Sequence, residues 1–291
     1  MPQNSRSLEG IVKKYLLVLC LLCLTISGCS SKFAYNNIDW LMYWYIDDYI
    51  DLNKQQKSAL DPKVQQWLAW HRKEQLQQYR AQLQTLKQQI SAGVVTVPQW
   101  MTHMAGAKQH WASLRDKVSP EMVSLSPQLS DEQITSLFDA LEEKNRDRIE
   151  QREEKTAQQR WVMQVDDIVQ QTKGFIGKLT PQQNKLIEDY TQRFESNFDD
   201  WINYRRDIQR DARTLMLQHR HEVDFQRKML DLIRHPENYQ GAALRQKSAL
   251  NSQLYSELLA ALSQSLSQKQ STKAIKELQD LIDDITDLIE Y

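Results

Sequence analysis

Apolar residues recur at intervals of three and four along most of the chain. The clearest runs contain Leu254, Leu258, Leu262 and Leu266, and then Ile275, Leu278, Ile282, Ile285 and Ile289. Between 194 and 233 a third apolar line has similar spacing, and Arg205 and His219 fall on it. Such spacing places apolar side chains on one face of a helix. It predicts an all-α protein, an elongated bundle of about six to eight helices, several of them long, that forms a single domain over residues 36–291.

Three segments share the pattern of a helix start: Leu, a capping residue, two variable residues and Gln. They are Leu52, Asn53 and Gln56; Leu129, Ser130 and Gln133; and Leu179, Thr180 and Gln183. In this capping box the Asn, Ser or Thr side chain accepts from a free N–H of the first turn, and the Gln side chain reaches back to the N–H of the cap. We therefore expect helices to begin near 53, 130 and 180.

The predicted helices are long because the chain has only 7 Gly and 7 Pro in 291 residues. We expect unbroken helices over about 53–91, 130–173 and 181–234, and a shorter one over 98–117 that ends before Pro120. Two more follow residue 241 and divide near Ser271. Residues 142–160 are almost all charged or polar, so we expect that part of its helix to project into water.

The first residues of the chain are typical of a targeting signal over 1–28. Lys13 and Lys14 precede an apolar run of 10 residues, Tyr15–Leu24, which is too short to cross a bilayer core of about 30 Å as a helix. The segment Ile26–Cys29 then resembles the bacterial lipobox. That resemblance implies cleavage after Gly28 and attachment of lipid, palmitate included, to Cys29.

The residues around the lipidation site predict where the protein is located. Ser30 and Ser31 follow Cys29, and by resemblance to lipoprotein sorting rules they imply the outer membrane, with the protein facing the periplasm. Residues 29–35 would be a short lipidated tether. All three Cys lie at or before position 29, so the mature chain has no disulfide and no Cys-based metal site.

An aromatic and acidic segment opens the mature domain. Trp40 and Trp44 lie among tyrosines, with Asp47 and Asp48 close behind. Three interpretations stay open: a central core helix, a helix that contacts the membrane, and a ligand cleft in which these carboxylates lie between aromatic rings.

Two resemblances concern these segments. The opening resembles a family of uncharacterised proteobacterial outer-membrane lipoproteins through Tyr35, Asn36, Asn37, Asp39, Trp40, Trp44, Tyr45, Asp47, Asp48, Tyr49, Asp51 and Leu52. The three capping segments are similar to the Leu-Thr-x-x-Gln motifs of Spy and CpxP periplasmic proteins. That second likeness implies an all-helical cradle with a chaperone or stress-sensing role.

Catalytic chemistry has little support in the sequence. No Gly-rich phosphate loop, serine elbow or His-Glu-x-x-His motif occurs, and the spacing of the six His suits no shared metal ion. We therefore predict no catalytic residue, no metal, no cofactor and no enzymatic activity. The near balance of 37 basic and 38 acidic residues also argues against nucleic acid as a partner.

One charged pattern is a candidate binding surface. Arg206, Arg210, Arg213, Arg220 and Arg227 share a face of the helix predicted over 181–234, with acidic residues among them. They indicate either a solvated, salt-bridged face or a surface for an anionic envelope component.

These features together predict a lipid-anchored, periplasm-facing binding protein of the cell envelope, with a chaperone-like role as one version. Its partners would be the membrane, through the N-terminal lipid, and an envelope protein or anionic envelope component. The alternatives are a structural partner of an envelope assembly and an envelope glycan hydrolase that uses Asp47 and Asp48.

Overall fold

A computed structural model of the chain describes Tyr35 and residues 37–290. The signal segment, the lipobox, Cys29 and the tether up to residue 34 lie outside the described residues. Within them the chain is all-α, as the apolar spacing predicts, with no strand. The α-helices are α1 Ile38–Ile46, α2 Lys54–Trp70, α3 Leu76–Ala92, α4 Val97–Leu125, α5 Asp131–Glu153, α6 Ala157–Ile176, α7 Pro181–Thr191, α8 Phe198–Gln218, α9 Phe225–Arg234, α10 Ala242–Gln264 and α11 Gln268–Glu290.

Helices α2 and α3 are one continuous helix because the π-helical turn His71–Gln75 joins them. Counted this way the described chain has ten helices, slightly more than the predicted six to eight. The continuous helix covers 39 residues, which corresponds to a length of about 58 Å. It therefore connects distant parts of the molecule.

The extra helices arise at breaks that contain no glycine or proline, so neither residue marks them in the sequence. The expected helix over 130–173 ends at Glu153, and α6 restarts from a capping box in which the Thr156 side chain accepts from the N–H of Gln159. The expected helix over 181–234 is divided into α7, α8 and α9. The last two helices divide at residues 265–267, not near Ser271.

Pro120 lies inside α4 and does not end it, which contradicts the shorter helix predicted over 98–117. The short 3-10 turn Ser126–Gln128 follows instead, and α5 begins after it. As a result α4 reaches the neighbourhood of both α2 and α9, where Val123 is buried.

Buried apolar clusters lie at both ends of the long helix, and another, formed by Leu76, Ile285 and Leu288, lies at its middle. At its C-terminal end Ile90 belongs to a cluster that we call the closed core, formed by Ile90, Val95, Val165, Ile168, Ile176, Leu179, Ile187, Leu258, Leu262, Ala274 and Leu278. At its N-terminal end two smaller clusters meet. One is formed by Leu60, Val64 and Trp67, and the other by Val123, Ile134, Phe138, Met216, Phe225 and Met229.

Candidate functional site

A pocket lies where the two smaller clusters meet. Its volume is about 560 Å³, which is within the usual range of small-molecule sites. The walls come from α1, α2, α4, α5, α8 and α9 and are mostly leucine, isoleucine, valine and methionine. Tyr45 and Met122 line it and are themselves exposed, so the pocket opens to the surface.

The pocket extends along α5 and α8, which run antiparallel. Ion pairs between Asp131 and Arg220 and between Asp139 and Arg213 establish this direction. Leu137 and Met216 line one part of the pocket, while Arg148 and Arg205 line another. In each helix the two lining residues are 11 positions apart, a distance of about 16 Å along the axis.

The two arginines contact the same aromatic ring. The guanidinium carbon of Arg205 is 4.7 Å from the ring centroid of Trp201, and that of Arg148 is 5.6 Å from it. Within the described residues neither guanidinium lies within 4.0 Å of a carboxylate oxygen. Burial lowers the pKa of the Arg205 guanidinium, and the positive charge of Arg148 lowers it further.

A buried amide holds Arg205 in place. The Asn145 side chain is fully buried, and its Oδ1 accepts a hydrogen bond of 3.0 Å from Nε of Arg205. Its Nδ2 donates to Gln209 at 2.7 Å and to Glu142 at 3.1 Å. This packing contradicts the expectation that residues 142–160 project into water, because polar contacts with α8 take the place of an apolar stripe.

Two tyrosines stand beside the arginines. The hydroxyls of Tyr45 and Tyr49 are 3.1 Å apart, and both side chains line the pocket. Burial raises the pKa of the Tyr49 hydroxyl, so it stays protonated as a hydrogen-bond donor at neutral pH. This part of the pocket therefore offers cationic and neutral donors together.

A pair of glutamines closes another side of the pocket. Gln56 lines it, and its Nε2 donates to Oε1 of Gln133 at 2.8 Å. In turn, Nε2 of Gln133 donates to Oε1 of Gln56 at 2.8 Å. These are the glutamines of two of the predicted capping boxes. All three boxes are present, with Asn53, Ser130 and Thr180 as the caps. Leu52 and Leu129 before the first two caps also line the pocket, and Leu179 before the third belongs to the closed core.

The aromatic and acidic opening contributes Tyr45 and Tyr49 to the pocket lining, but not its tryptophans or its aspartates. Helix α1 contains no buried residue, so its interpretation as a central core helix is wrong. Trp40 is 64% exposed and Trp44 is half-buried. Asp47 forms an ion pair of 3.4 Å with Lys57. Neither Asp47 nor Asp48 lines the pocket.

The predicted arginine face is paired with acids throughout. Each ion pair has an N–O distance of 3.2 Å or less: Arg206 with Glu142, Arg210 with Asp207 and Asp211, Arg213 with Asp139, Arg220 with Asp131, and Arg227 with Asp224. These contacts fit the interpretation as salt-bridged residues, but the five arginines do not share one helix face, because Arg220 lies in the turn after α8 and Arg227 lies on α9. The pairs with Glu142 and Asp139 connect α8 to α5 beside the pocket, and the pair with Asp131 connects the turn after α8 to the start of α5.

Arg148 and Arg205 are the residues that sequence reasoning did not single out as a site. One signal was present, because Arg205 falls on an apolar helix line where a cation is unexpected. Arg148 carried no comparable signal, since it lies in a segment where charged residues are the rule. Only the packing of α5 against α8 brings the two together.

The described residues provide neither a metal site nor a membrane-spanning helix. No group of three or more His, Cys, Asp and Glu side chains is placed to hold a metal ion there. In the same part of the chain, no helix combines the length and the apolar character that a membrane crossing requires.

Comparisons with known proteins point to one family. No curated protein matches the chain, and no solved structure matches it. A family model described as a family of unknown function (DUF6279) matches residues 48–245, more than half of the 291 residues. The matched range includes Arg148, Arg205, Gln56 and Gln133. The chain belongs to this family of unknown function.

Proposed function

We propose that this chain is a lipid-anchored, non-enzymatic binding protein of the bacterial cell envelope that holds an apolar chain in its pocket. The lipobox at Ile26–Cys29 and the serines after it support attachment to the outer membrane on the periplasmic side. The pocket carries the proposal, because an open cavity of about 560 Å³ is large enough for a small ligand and its walls are mostly apolar.

The chemistry of the lining favours apolar ligands of variable shape. Three methionines, Met122, Met216 and Met229, line the pocket. Methionine is unbranched and polarizable, so it adapts to irregular apolar surfaces. Each methylene that leaves water for such a surface contributes about 0.8 kcal/mol to binding.

The same methionines favour a second candidate, a chaperone-like role in which the pocket takes apolar segments of unfolded envelope proteins. The likeness of the capping segments to Spy and CpxP motifs supports this version. It differs from the first in its ligand and not in its site, so both versions can be tested with the same variants.

A matched pair of substitutions on α4 tests the proposed function. Met122 lines the pocket and is 48% exposed, whereas Met101 lies on the same helix away from the pocket and is 42% exposed. The lipidated protein is placed in phosphatidylcholine vesicles and irradiated with a diazirine-bearing hexadecanol, and the labelled peptides are identified by mass spectrometry. We expect labelling of pocket residues to fall about tenfold in Met122→Trp, because indole fills the opening, and to stay unchanged in Met101→Trp.

Equal labelling of the two variants would contradict the proposal, provided that both unfold at the wild-type temperature. Protection of an aggregating client by wild type and Met101→Trp, but not by Met122→Trp, would favour the chaperone-like version. A single envelope protein that co-purifies equally with both variants would favour a structural partner instead.

A further inference from the structure

Arg148 and Arg205 differ from the arginines of the neighbouring face. The face arginines each have a carboxylate at ion-pair distance, whereas Arg148 and Arg205 are half-buried, lie over one indole ring and have no such partner within the described residues. Two like charges held this close repel each other, and the repulsion grows as water is removed. An anion between them would relieve it.

The guanidinium groups have unused hydrogen-bonding capacity. Arg205 donates through Nε to Asn145, and Arg148 donates through one Nη to the carbonyl of Lys144 at 3.2 Å. In the described chain the two Nη groups of Arg205 have no protein acceptor. Because Asn145 is fully buried and bonded to Gln209, Arg205 is held with this side of its fork available.

We propose that the pocket binds a long-chain fatty acid, with Arg148 and Arg205 contacting the carboxylate and the apolar walls enclosing the acyl chain. The inference rests on the proposed function and specifies its ligand. A carboxylate accepts paired N–H donors from guanidinium groups in fork geometry, and the hydroxyl of Tyr45 or Tyr49 supplies a further donor.

The size and shape of the pocket suit an acyl chain. Its open volume of about 560 Å³ lies within the range of apolar small-molecule sites. The length of about 16 Å between the arginines and the Leu137–Met216 part of the pocket also suits an extended chain. Charge is confined to one part of the pocket, as an amphiphile with one anionic group requires.

The test compares two probes that differ only in the head group. Diazirine-bearing palmitic acid and the corresponding alcohol are each titrated against the lipidated full chain in phosphatidylcholine vesicles, and the concentration for half-maximal labelling of pocket peptides is measured. We expect the acid to label at about tenfold lower concentration than the alcohol in wild type. Arg148→Gln and Arg205→Gln should each remove most of this preference, so that the acid and the alcohol label at similar concentrations.

Arg210→Gln is the matched control, because Arg210 lies on α8 one or two turns from Arg205 but is paired with Asp207 and Asp211 at the surface. It should keep the wild-type preference. If Arg205→Gln unfolds, Arg148→Gln alone decides the result. Equal labelling by acid and alcohol in wild type, or an unchanged preference in Arg148→Gln, would overturn the inference while leaving the proposed function standing. Absence of pocket labelling by either probe would overturn both.

Discussion

A pair of hydrogen-bonded glutamines lies near each end of the long helix formed by α2 and α3, but the two pairs have different surroundings. Beside the pocket, Gln56 and Gln133 exchange side-chain hydrogen bonds of 2.8 Å. Beside the closed core, Gln183 and Gln270 exchange bonds of 3.1 and 2.9 Å. In both pairs each glutamine also caps the start of its own helix, so each pair joins two helix N-termini.

The likeness extends to the backbone. Each of the four amides donates to a carbonyl two residues before the cap of the partner helix. The bonds run from Gln56 to Gln128, from Gln133 to Asp51, from Gln183 to Ser265 and from Gln270 to Lys178. The closed-core pair is almost entirely buried, at 0% and 6% exposure, whereas in the pair beside the pocket Gln56 is 8% exposed and Gln133 is half-buried. The glutamine pair therefore holds two helix starts together both in a buried site and beside a pocket. The apolar residues around the pair decide whether a cavity remains.

A pair of Leu→Ala substitutions should reveal the largest difference between the ends. Leu258 is fully buried in the closed core, and Leu137 lines the pocket. We expect Leu258→Ala to lower the free energy of unfolding by about 4 kcal/mol, because it opens a cavity in a closely packed site. Leu137→Ala should lower it by about 1.5 kcal/mol, because that side chain already borders open space.

Urea denaturation followed by circular dichroism measures both values. Ile134→Val is a control for the pocket end, since Ile134 is fully buried in the adjacent cluster and should cost about 1 kcal/mol. Equal losses in Leu258→Ala and Leu137→Ala would mean that the pocket end is packed as closely as the closed core.

Local sequence signals predicted part of this comparison. The caps Asn53, Ser130 and Thr180 could be read because a hydroxyl or amide, a Gln three residues later and a preceding Leu occur together. Leu266, Ser267 and Gln270 carry the same signature at the start of α11, four residues before the break that was predicted near Ser271.

Other features depend on distant contacts that no local pattern contains. The break between α7 and α8 is held by Asn251, whose Oδ1 accepts from the N–H of Glu195 at 2.9 Å and whose Nδ2 donates to its carbonyl at 2.7 Å. The pairing of Arg148 with Arg205 likewise requires α5 and α8 to lie side by side. The all-α class and the helix starts with a capping box, that of α6 included, were thus predictable, whereas the break between α7 and α8 and the charged part of the pocket were not.

Low pH should destabilise the middle of the long helix, the part that joins its two ends. His71 lies in the π-helical turn, with Nδ1 2.9 Å from the hydroxyl of Tyr35 and Nε2 3.3 Å from that of Tyr79. Burial lowers its pKa from 6.5 to about 4. Burial also lowers the pKa values of His103 and His110 on α4.

Between pH 6.5 and about pH 4 the unfolded chain binds a proton at His71 that the folded chain does not bind. The free energy of unfolding should therefore decrease as the pH falls through this interval, by about 3 kcal/mol from His71 alone. Urea denaturation across this pH range measures the slope. His71→Phe should flatten it, whereas His221→Phe, at an exposed position in the turn before α9, should leave it unchanged. A wild-type slope in His71→Phe would show that other groups cause the acid sensitivity.

Removal of one glutamine from each pair should give the smallest of these differences. Gln183→Ala removes one hydrogen-bond acceptor of the Gln270 amide and the donor to the Ser265 carbonyl in a buried site, and we expect a loss of about 2 kcal/mol in the free energy of unfolding. Gln56→Ala should cost about 1 kcal/mol, because water in the open pocket can hydrate the groups it leaves. Gln159→Ala, at the capping box of α6 on the surface, is the control and should cost about 0.5 kcal/mol. If Gln56→Ala cost as much as Gln183→Ala, water would not reach the first pair, and the pocket would have to be closed on that side in solution.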